Sequence, residues 1–283
     1  DSRLKVLPEE FDRVSAHFVP PAYTDLLPDT SAELERLRAA EPAFARWCDT
    51  NVVEHKVPGY CIVNLSLKRQ GRPPGDLDAD SMDAVAELAD RYSFGEVRVT
   101  HRQNLVMADV EQRNLFEVWR SLDFLELASP NIGQLTDIIS CPGLDYCNLA
   151  NARSIPVAED ISRHFVDVDK LALVGDLTLN ISGCMNACGH HHVGNIGILG
   201  VDKRGKEYFQ LTLGGASDDG ASLGDRLGRA LAQAEVPAAI EAIVETYLGL
   251  RIDRERFLDT YRRVGIEPFK LAVYGQAASR AAA

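Results

Sequence analysis

Four of the six cysteines in this 283-residue chain fall in two close pairs. Cys141 and Cys147 stand in "CPGLDYC", Cys184 and Cys188 in "CMNAC", with 36 residues between the pairs. Grouping of this kind reads as metal or redox chemistry; a disulfide framework is not needed where a domain can be held by its own core. Thiols four apart share one face of a helical turn or one tight loop and can hold one metal body. Thiols six apart fall out of register on a helix. The first pair is therefore expected in a loop leading into a helix, with Pro142 and Gly143 setting the turn. Each pair follows a strand-like run, "LTDIIS" and "LTLNIS", so two strand ends would carry four thiols to one place.

Spacing leaves three occupancies open. Structural zinc favours tighter knuckles than the five-residue gap in the first pair. A thioredoxin-type dithiol needs C-x-x-C, which neither pair has. A [4Fe–4S] cluster accepts varied spacings and loops, and buried structural thiols are the third reading. Gly183 and Gly189 bracket the second pair, and small residues there would let backbone N–H groups approach cluster sulfurs. His190, His191 and His192 follow at once, but three consecutive side chains diverge on any regular backbone, so joint ligation of one ion is not expected. Cys48 and Cys61 are isolated and read as small buried hydrophobes.

The surrounding elements must position these groups. "GYCIVNLSLKRQG" (59–71) alternates like a strand. "DADSMDAVAELADRYS" is helical, with Met82, Val85, Leu88 and Ala89 on its apolar face and Asp78 or Asp80 as N-cap. "GEVRVTHRQNLVMADV" reads as two strands broken near His101–Gln103, and "EQRNLFEVWRSLDFL" as an amphipathic helix. Residues 1–40, rich in proline, read as a linker with short helical pieces, one being "SAELERLRAA". Residues 41–130 form one α+β unit and 131–283 a second. The second contains a helix broken near Pro156, the strand "DLTLNIS" and a hairpin of "VGNIGILG" and "EYFQLTLGG" around "VDKRGK". Its tail is helical.

Composition bounds the partners. Hydrophobic residues make up 46% and charged ones 25%, as in a globular chain with a real core. The net charge of −12 argues against nucleic acid, which needs a basic footprint. No apolar run approaches the roughly 20 residues of a membrane span, so a soluble, cytoplasmic protein is expected.

The C-x5-C and "SGCMNACG" motifs together resemble the sirohaem–[4Fe–4S] signature of the sulfite and nitrite reductases. The resemblance runs from about residue 40 onward: "GEVRVTHRQNLVMADV" is similar to the family's ferredoxin-like half-domain, and the stretch from "SLGDRLGRAL" to "RRVGIEPFK" to its C-terminal helical part. The fold implied is α+β, a ferredoxin-like half-domain (41–130) followed by a mixed α/β sirohaem and [4Fe–4S] domain (131–283). Cys141, Cys147, Cys184 and Cys188 match the four cluster ligands, and Cys188 the one whose sulfur also meets the sirohaem iron. Asn186 matches a polar position near the macrocycle. His101, Arg102 and Gln103 fall where the family places polar residues near it, though an ordinary polar turn fits them as well. The histidine triplet is not part of the signature and is left a supporting place around the ligands at most.

The activity implied is six-electron reduction of sulfite to sulfide, nearest to the bacterial assimilatory branch, with ammonia-forming nitrite reduction as the alternative. The electron donor would be ferredoxin or an NADPH-dependent flavoprotein. In the family, the catalytic Arg and Lys residues come mostly from a first half that pairs with the second. No basic cluster is evident here, and the chain opens without a start Met. It is therefore expected to be the C-terminal half of a longer protein, able to hold a cluster but binding sirohaem weakly alone. Rival readings are a small reductase completing its site by homodimerising, a sirohaem-like oxygenase of the cobalamin pathway, and a non-catalytic zinc-binding structural domain.

Overall fold

The computed structural model describes residues 5–26 and 31–275. Residues 1–4 and 27–30 of the expected linker, and 276–283 of the expected second unit, lie outside the described residues.

The segment expected as a linker carries short helices, including "SAELERLRAA", and it also contacts the first sheet. Helix α1 (Pro8–Ser15) buries nothing, but the strap that follows it docks onto the first sheet. The Tyr23 hydroxyl donates to Asp109 Oδ1 at 2.6 Å, and Tyr23 packs its ring against His55, Tyr60 and Phe94. Helices α2 (Ser31–Ala40) and α3 (Pro42–Asn51) come next. Pro42 in the first turn of α3 needs no N–H, which is why the chain restarts a helix directly after Glu41. Helix α3 and the short strand β1 (Val52–Glu54) were not foreseen from the sequence.

The first sheet has the order β1-β2-β4-β3, all antiparallel, from β1, β2 (Tyr60–Leu65), β3 (Arg98–Val99) and β4 (Leu105–Glu111). The ladder of β2 ends at Leu65, so the run to Gly71 leaves the sheet. Helices α4 (Ala79–Tyr92) and α5 (Leu115–Phe124) cover one face. Asp78 caps α4 by accepting the Ser81 N–H at 2.9 Å, a contact worth about 1 kcal/mol. Met82 departs from its expected core position: it is exposed, while Val85 and Ala89 are buried. Phe44, Trp47, Val63, Met107, Val118 and Leu122 form the centre of this core, with Cys48 and Cys61 buried in it as small apolar residues.

The second sheet has the order β5-β6-β7-β8-β9. It comprises β5 (Ile139–Ser140), β6 (Leu179–Ser182), β7 (Ile196–Asp202), β8 (Glu207–Leu213) and β9 (Asp225–Arg226). Strands β5, β6 and β7 run parallel, and β7, β8 and β9 antiparallel, so the sheet is mixed. Of the apolar run 131–140, only Ile139 and Ser140 pair as strand. Helix α6 (Ile155–His164) is not broken at Pro156: the proline occupies its first turn, where the missing N–H costs nothing. Helices α7 (Val168–Val174), α8 (Val236–Leu250), α9 (Phe257–Val264) and α10 (Glu267–Tyr274) complete the layer, closing a core around Ile181, Ile198, Phe209, Ile240 and Phe257. The whole is α+β, as expected.

Buried polar contacts join the two units. Asp137, fully buried, accepts from Asn104 Nδ2 at 2.9 Å and from the Gly133 N–H at 3.0 Å. The Ser66 hydroxyl donates to Asn131 Oδ1 at 2.7 Å. These bonds hold the β3–β4 turn against the segment that leads to Cys141.

Candidate functional site

The cysteine loops leave the C-terminal ends of two adjacent parallel strands, β5 and β6, paired Ile139 to Asn180 and Ser140 to Ile181. The Cys141 N–H extends this ladder by donating to Ile181 O at 3.1 Å. Its sulfur accepts the Gly183 N–H at 3.0 Å and lies 3.4 Å from Ser154 Oγ. The Ser154 hydroxyl also donates to the Cys141 carbonyl at 2.7 Å. Gly183 O in turn accepts the N–H groups of Asn151 and Ala152 at 2.9 and 3.0 Å.

The first loop is tight, as the six-residue spacing requires. Gly143 sits at φ +58°, and its carbonyl accepts the Cys147 N–H at 2.8 Å. A Cβ on Gly183 would lie 2.9 Å from Gly143 Cα and 2.6 Å from Ala152 O. The two loops therefore meet backbone to backbone. Gly183 presents its N–H to a cysteine sulfur, but Gly189 does not. The Gly189 N–H goes to Ser182 Oγ at 3.2 Å, and a Cβ there would overlap Ile181 O. Close packing, rather than sulfur contact, explains that second glycine.

The four thiols differ in exposure. Cys141 and Cys184 are buried, Cys147 is half-buried and Cys188 is exposed. Cys188 opens on a cavity of about 300 Å3, whose lining includes His101, Arg102, Asn180 and His190. Asn186 is exposed and does not line this cavity. A neighbouring hollow of about 340 Å3 shares Arg102, Thr178 and Ser217 with the first and reaches Arg256. The sequence showed no basic cluster facing the cysteines; the fold brings Arg102 there, with Arg256 one hollow away.

Arg102 is the informative cation. Its Nε lies 3.5 Å from Asp137 Oδ2, yet Nε and Nη2 are buried without a hydrogen-bond partner among the described residues. The Arg102 side chain is about 30% exposed and stands beside an open thiol, where a guanidinium suits an anion. Behind it Lys68 is buried, its Nζ donating to Arg102 O and Gln103 O at 2.9 Å each. Burial pulls the Lys68 ammonium down to about 8; Asp137 opposes the shift and Arg102 adds to it.

The three histidines diverge. His190, at φ +53°, lines the cavity, His191 is buried and His192 is exposed. His191 lies with its ring 4.0 Å from that of His192, and its Nδ1 has no partner among the described residues. Burial, helped by His192, pushes its imidazole down to about 4, so it is neutral near pH 7.

The residues present fit a four-iron cluster in donor type: four thiols carried on two loops that meet backbone to backbone. A four-iron cluster spreads its ligands over separate corners and takes N–H bonds to its sulfurs. Two backbone-packed loops with an N–H already on a cysteine sulfur fit that need. Sequence reasoning missed Ser154, Lys68 and Asp137; each is an ordinary polar residue whose place depends on the fold.

The fold thus joins a small antiparallel α+β unit to a mixed sheet that bears two cysteine loops. Residues 133–280 match the family model described as nitrite and sulphite reductase 4Fe-4S domain, and residues 69–125 match the nitrite/sulfite reductase ferredoxin-like half domain. The chain belongs to the nitrite and sulfite reductase family. Membership brings a [4Fe–4S] cluster and sirohaem.

Two relatives and one solved structure show the range. The chain is 27% identical over 241 residues to the chloroplastic ferredoxin–nitrite reductase of Betula pendula, covering 80% of this chain and 40% of that protein. It is 26% identical over 208 residues to the assimilatory-type sulfite reductase of Nitratidesulfovibrio vulgaris, covering 72% of this chain and 89% of that protein. The NirA protein of Mycobacterium tuberculosis superposes with a TM-score of 0.64 at 25% identity, over 78% of this chain and 41% of that one. The chain thus spans about two fifths of the Betula protein and of NirA. No helix among the described residues is long and apolar enough to cross a membrane.

Proposed function

We propose that Cys141, Cys147, Cys184 and Cys188 hold the [4Fe–4S] cluster, that the Cys188 sulfur also reaches the sirohaem iron, and that the completed site reduces sulfite to sulfide. The observation that carries this is the position of Cys188: it is the exposed thiol of the four, and Arg102 is among the residues lining its cavity. When bound, the two groups supply one-electron steps and an iron position for an oxyanion. The chain itself supplies the thiolate junction and a cation. Arg102 would pair with a sirohaem carboxylate or with the substrate anion, both of which a guanidinium matches. His101 and His190 line the same cavity and can pass protons at their ring nitrogens. Sulfite leaves its three oxygens as water, so proton supply is part of the task.

Nitrite is the second reading, and the match to the Betula nitrite reductase over 80% of this chain favours it. Ferredoxin is the proposed electron donor, since the relatives named as nitrite reductases are ferredoxin-dependent, ahead of an NADPH-dependent flavoprotein. The single arginine shared by the two hollows is few cations for the many carboxylates of sirohaem. We therefore propose that further basic residues from a companion half complete the site, and that the protein works in the cytoplasm. Asn186 is proposed only as an outer contact of the macrocycle.

Anaerobic assembly of iron and sulfide on the protein, with and without sirohaem, tests this reading. Four irons per chain with sirohaem held only weakly by this chain alone, then a stable Soret band and faster turnover of sulfite than of nitrite with a reduced viologen once the companion half is supplied, would support it. A colourless product binding one zinc per chain would overturn it.

A further inference from the structure

Successive residues of the β3–β4 turn serve two parts of the site. His101 and Arg102 line the cavity beside Cys188, whereas Gln103 reaches Ser140. Its Nε2 donates to the Ser140 carbonyl at 2.8 Å, and its Oε1 accepts the Ser140 N–H at 3.0 Å. Both bonds fall on the backbone of the residue immediately before Cys141.

The pattern has a structural logic. Strand β5 is two residues long and forms the edge of the second sheet, with β6 on its inner side. An edge strand leaves backbone donors and acceptors unpaired on its outer side. The primary amide of Gln103 has the donor and acceptor of a peptide unit, and it makes with Ser140 the paired bonds that a neighbouring antiparallel residue would make. One side chain therefore stands in for a missing strand.

Gln103 is itself held firmly. It sits at φ +57°, a conformation that costs a residue with a side chain of order 1 kcal/mol and persists where the surroundings enforce it. Lys68 Nζ donates to the carbonyls of Arg102 and Gln103, which belong to the two peptide groups flanking the Gln103 Cα. Thr100 Oγ1 accepts the N–H groups of Arg102 and Asn104 at 3.3 and 3.1 Å. Asn104 is fixed in turn by Asp137.

We propose that Gln103 is a positioning residue for Cys141: its amide completes the β5 edge, fixes the Ser140–Cys141 backbone and so keeps the Cys141 sulfur on the Gly183 N–H, which sets the reduction potential of the cluster. The inference rests on the reading of Cys141 as a cluster ligand. It assigns a distinct task to each residue of one turn, with Arg102 facing the anion cavity and Gln103 acting on the cluster through Ser140.

The test uses the protein with its cluster assembled. Gln103→Asn tolerates the left-handed backbone but is one methylene too short to reach Ser140. Gln103→Glu keeps the acceptor but turns a carboxylate oxygen toward the Ser140 carbonyl; protonation restores the donor. Asn51→Ala serves as control, because it removes buried bonds to Asn64 O and Ser129 O without touching Ser140, Lys68 or Gln103. The readouts are iron per chain, the rate of iron release to a chelator, and the midpoint potential from an EPR-monitored titration.

Wild type taking up no cluster would overturn the ligand reading and this proposal together. With cluster present, Gln103→Asn is expected to release iron about tenfold faster and to shift the midpoint potential, while Asn51→Ala lowers the melting temperature without shifting it. Gln103→Glu is expected to approach wild type as pH falls through the carboxyl range, in a way that Gln103→Asn does not. Wild-type potential and iron release in Gln103→Asn, or an equal shift in Asn51→Ala, would overturn the proposal alone. If Gln103→Asn does not fold, the pH response of Gln103→Glu decides, and its absence counts against the proposal.

Discussion

The backbone N–H of Gly183 donates to the sulfur of Cys141 at 3.0 Å, across 42 residues of chain. The bond joins the two cysteine loops at their closest approach, and the lack of a side chain on Gly183 permits it. Gly183→Ala would place a Cβ 2.6 Å from Ala152 O and 2.9 Å from Gly143 Cα, both backbone atoms that cannot swing aside. Overpacking against backbone costs about 1–3 kcal/mol, occasionally more. The variant is expected to unfold at lower denaturant and to retain less than half the wild-type iron. Unchanged stability and full iron content would show that the loops can part without loss.

The proposed function places Arg102 on the anion and not on the fold of the loops. Its Nε and Nη2 carry no bond that Arg102→Gln would break, and its contact to Asp137 is long at 3.5 Å. The expected outcome is retained cluster, with affinity for sulfite or sirohaem reduced by roughly tenfold, as suits loss of one charge-assisted contact. Titrating the Soret band with sulfite, and counting sirohaem per chain, measures the two effects separately.

His191 makes a prediction about acid. Its imidazole titrates at about 4 in the fold against an ordinary 6.5, because burial disfavours the charged ring. A depressed value means that the stability it contributes is complete above pH 6.5. It is lost as pH falls toward 4, where the unfolded chain binds a proton that the folded one refuses. The loss is of order 3 kcal/mol. Urea unfolding of wild type and His191→Gln at pH 7 and pH 4.5 should show the wild type losing more; parallel losses would refute the assignment.

Lys68 makes the opposite test at the alkaline end. Its ammonium titrates at about 8 in the fold against 10.5 outside it. Between these values the unfolded chain holds more protons, so stability rises with pH across that window, by up to roughly 3 kcal/mol. The stability of wild type measured against Lys68→Met should therefore increase from pH 8 to pH 10. A flat difference would mean that the ammonium is solvated better than its burial implies.

Much of the site could be read in one dimension. Four cysteines at spacings of five and three residues point to a metal centre, because ligand type and loop length are local properties. The strands before each pair, the cap at Asp78 and the break at His101–Gln103 follow from local pattern and turn chemistry. Local pattern failed where tertiary contact overrides it. Met82 has helical spacing but faces solvent, and Pro156 reads as a break but opens a helix. The glycine after Cys188 looked like a partner for sulfur, yet its N–H bonds a serine hydroxyl.

The sequence by itself carried the resemblance to the family, the four thiols and most of the longer strands and helices, all through residue type and short-range spacing. Only the tertiary structure decided which of those thiols is open, that Arg102 lines its cavity, and that the Gln103 amide bonds the edge of the strand at Ser140. Those facts depend on buried bonds between residues tens of positions apart. Such bonds depend on how two sheets dock, and sequence spacing carries no record of docking.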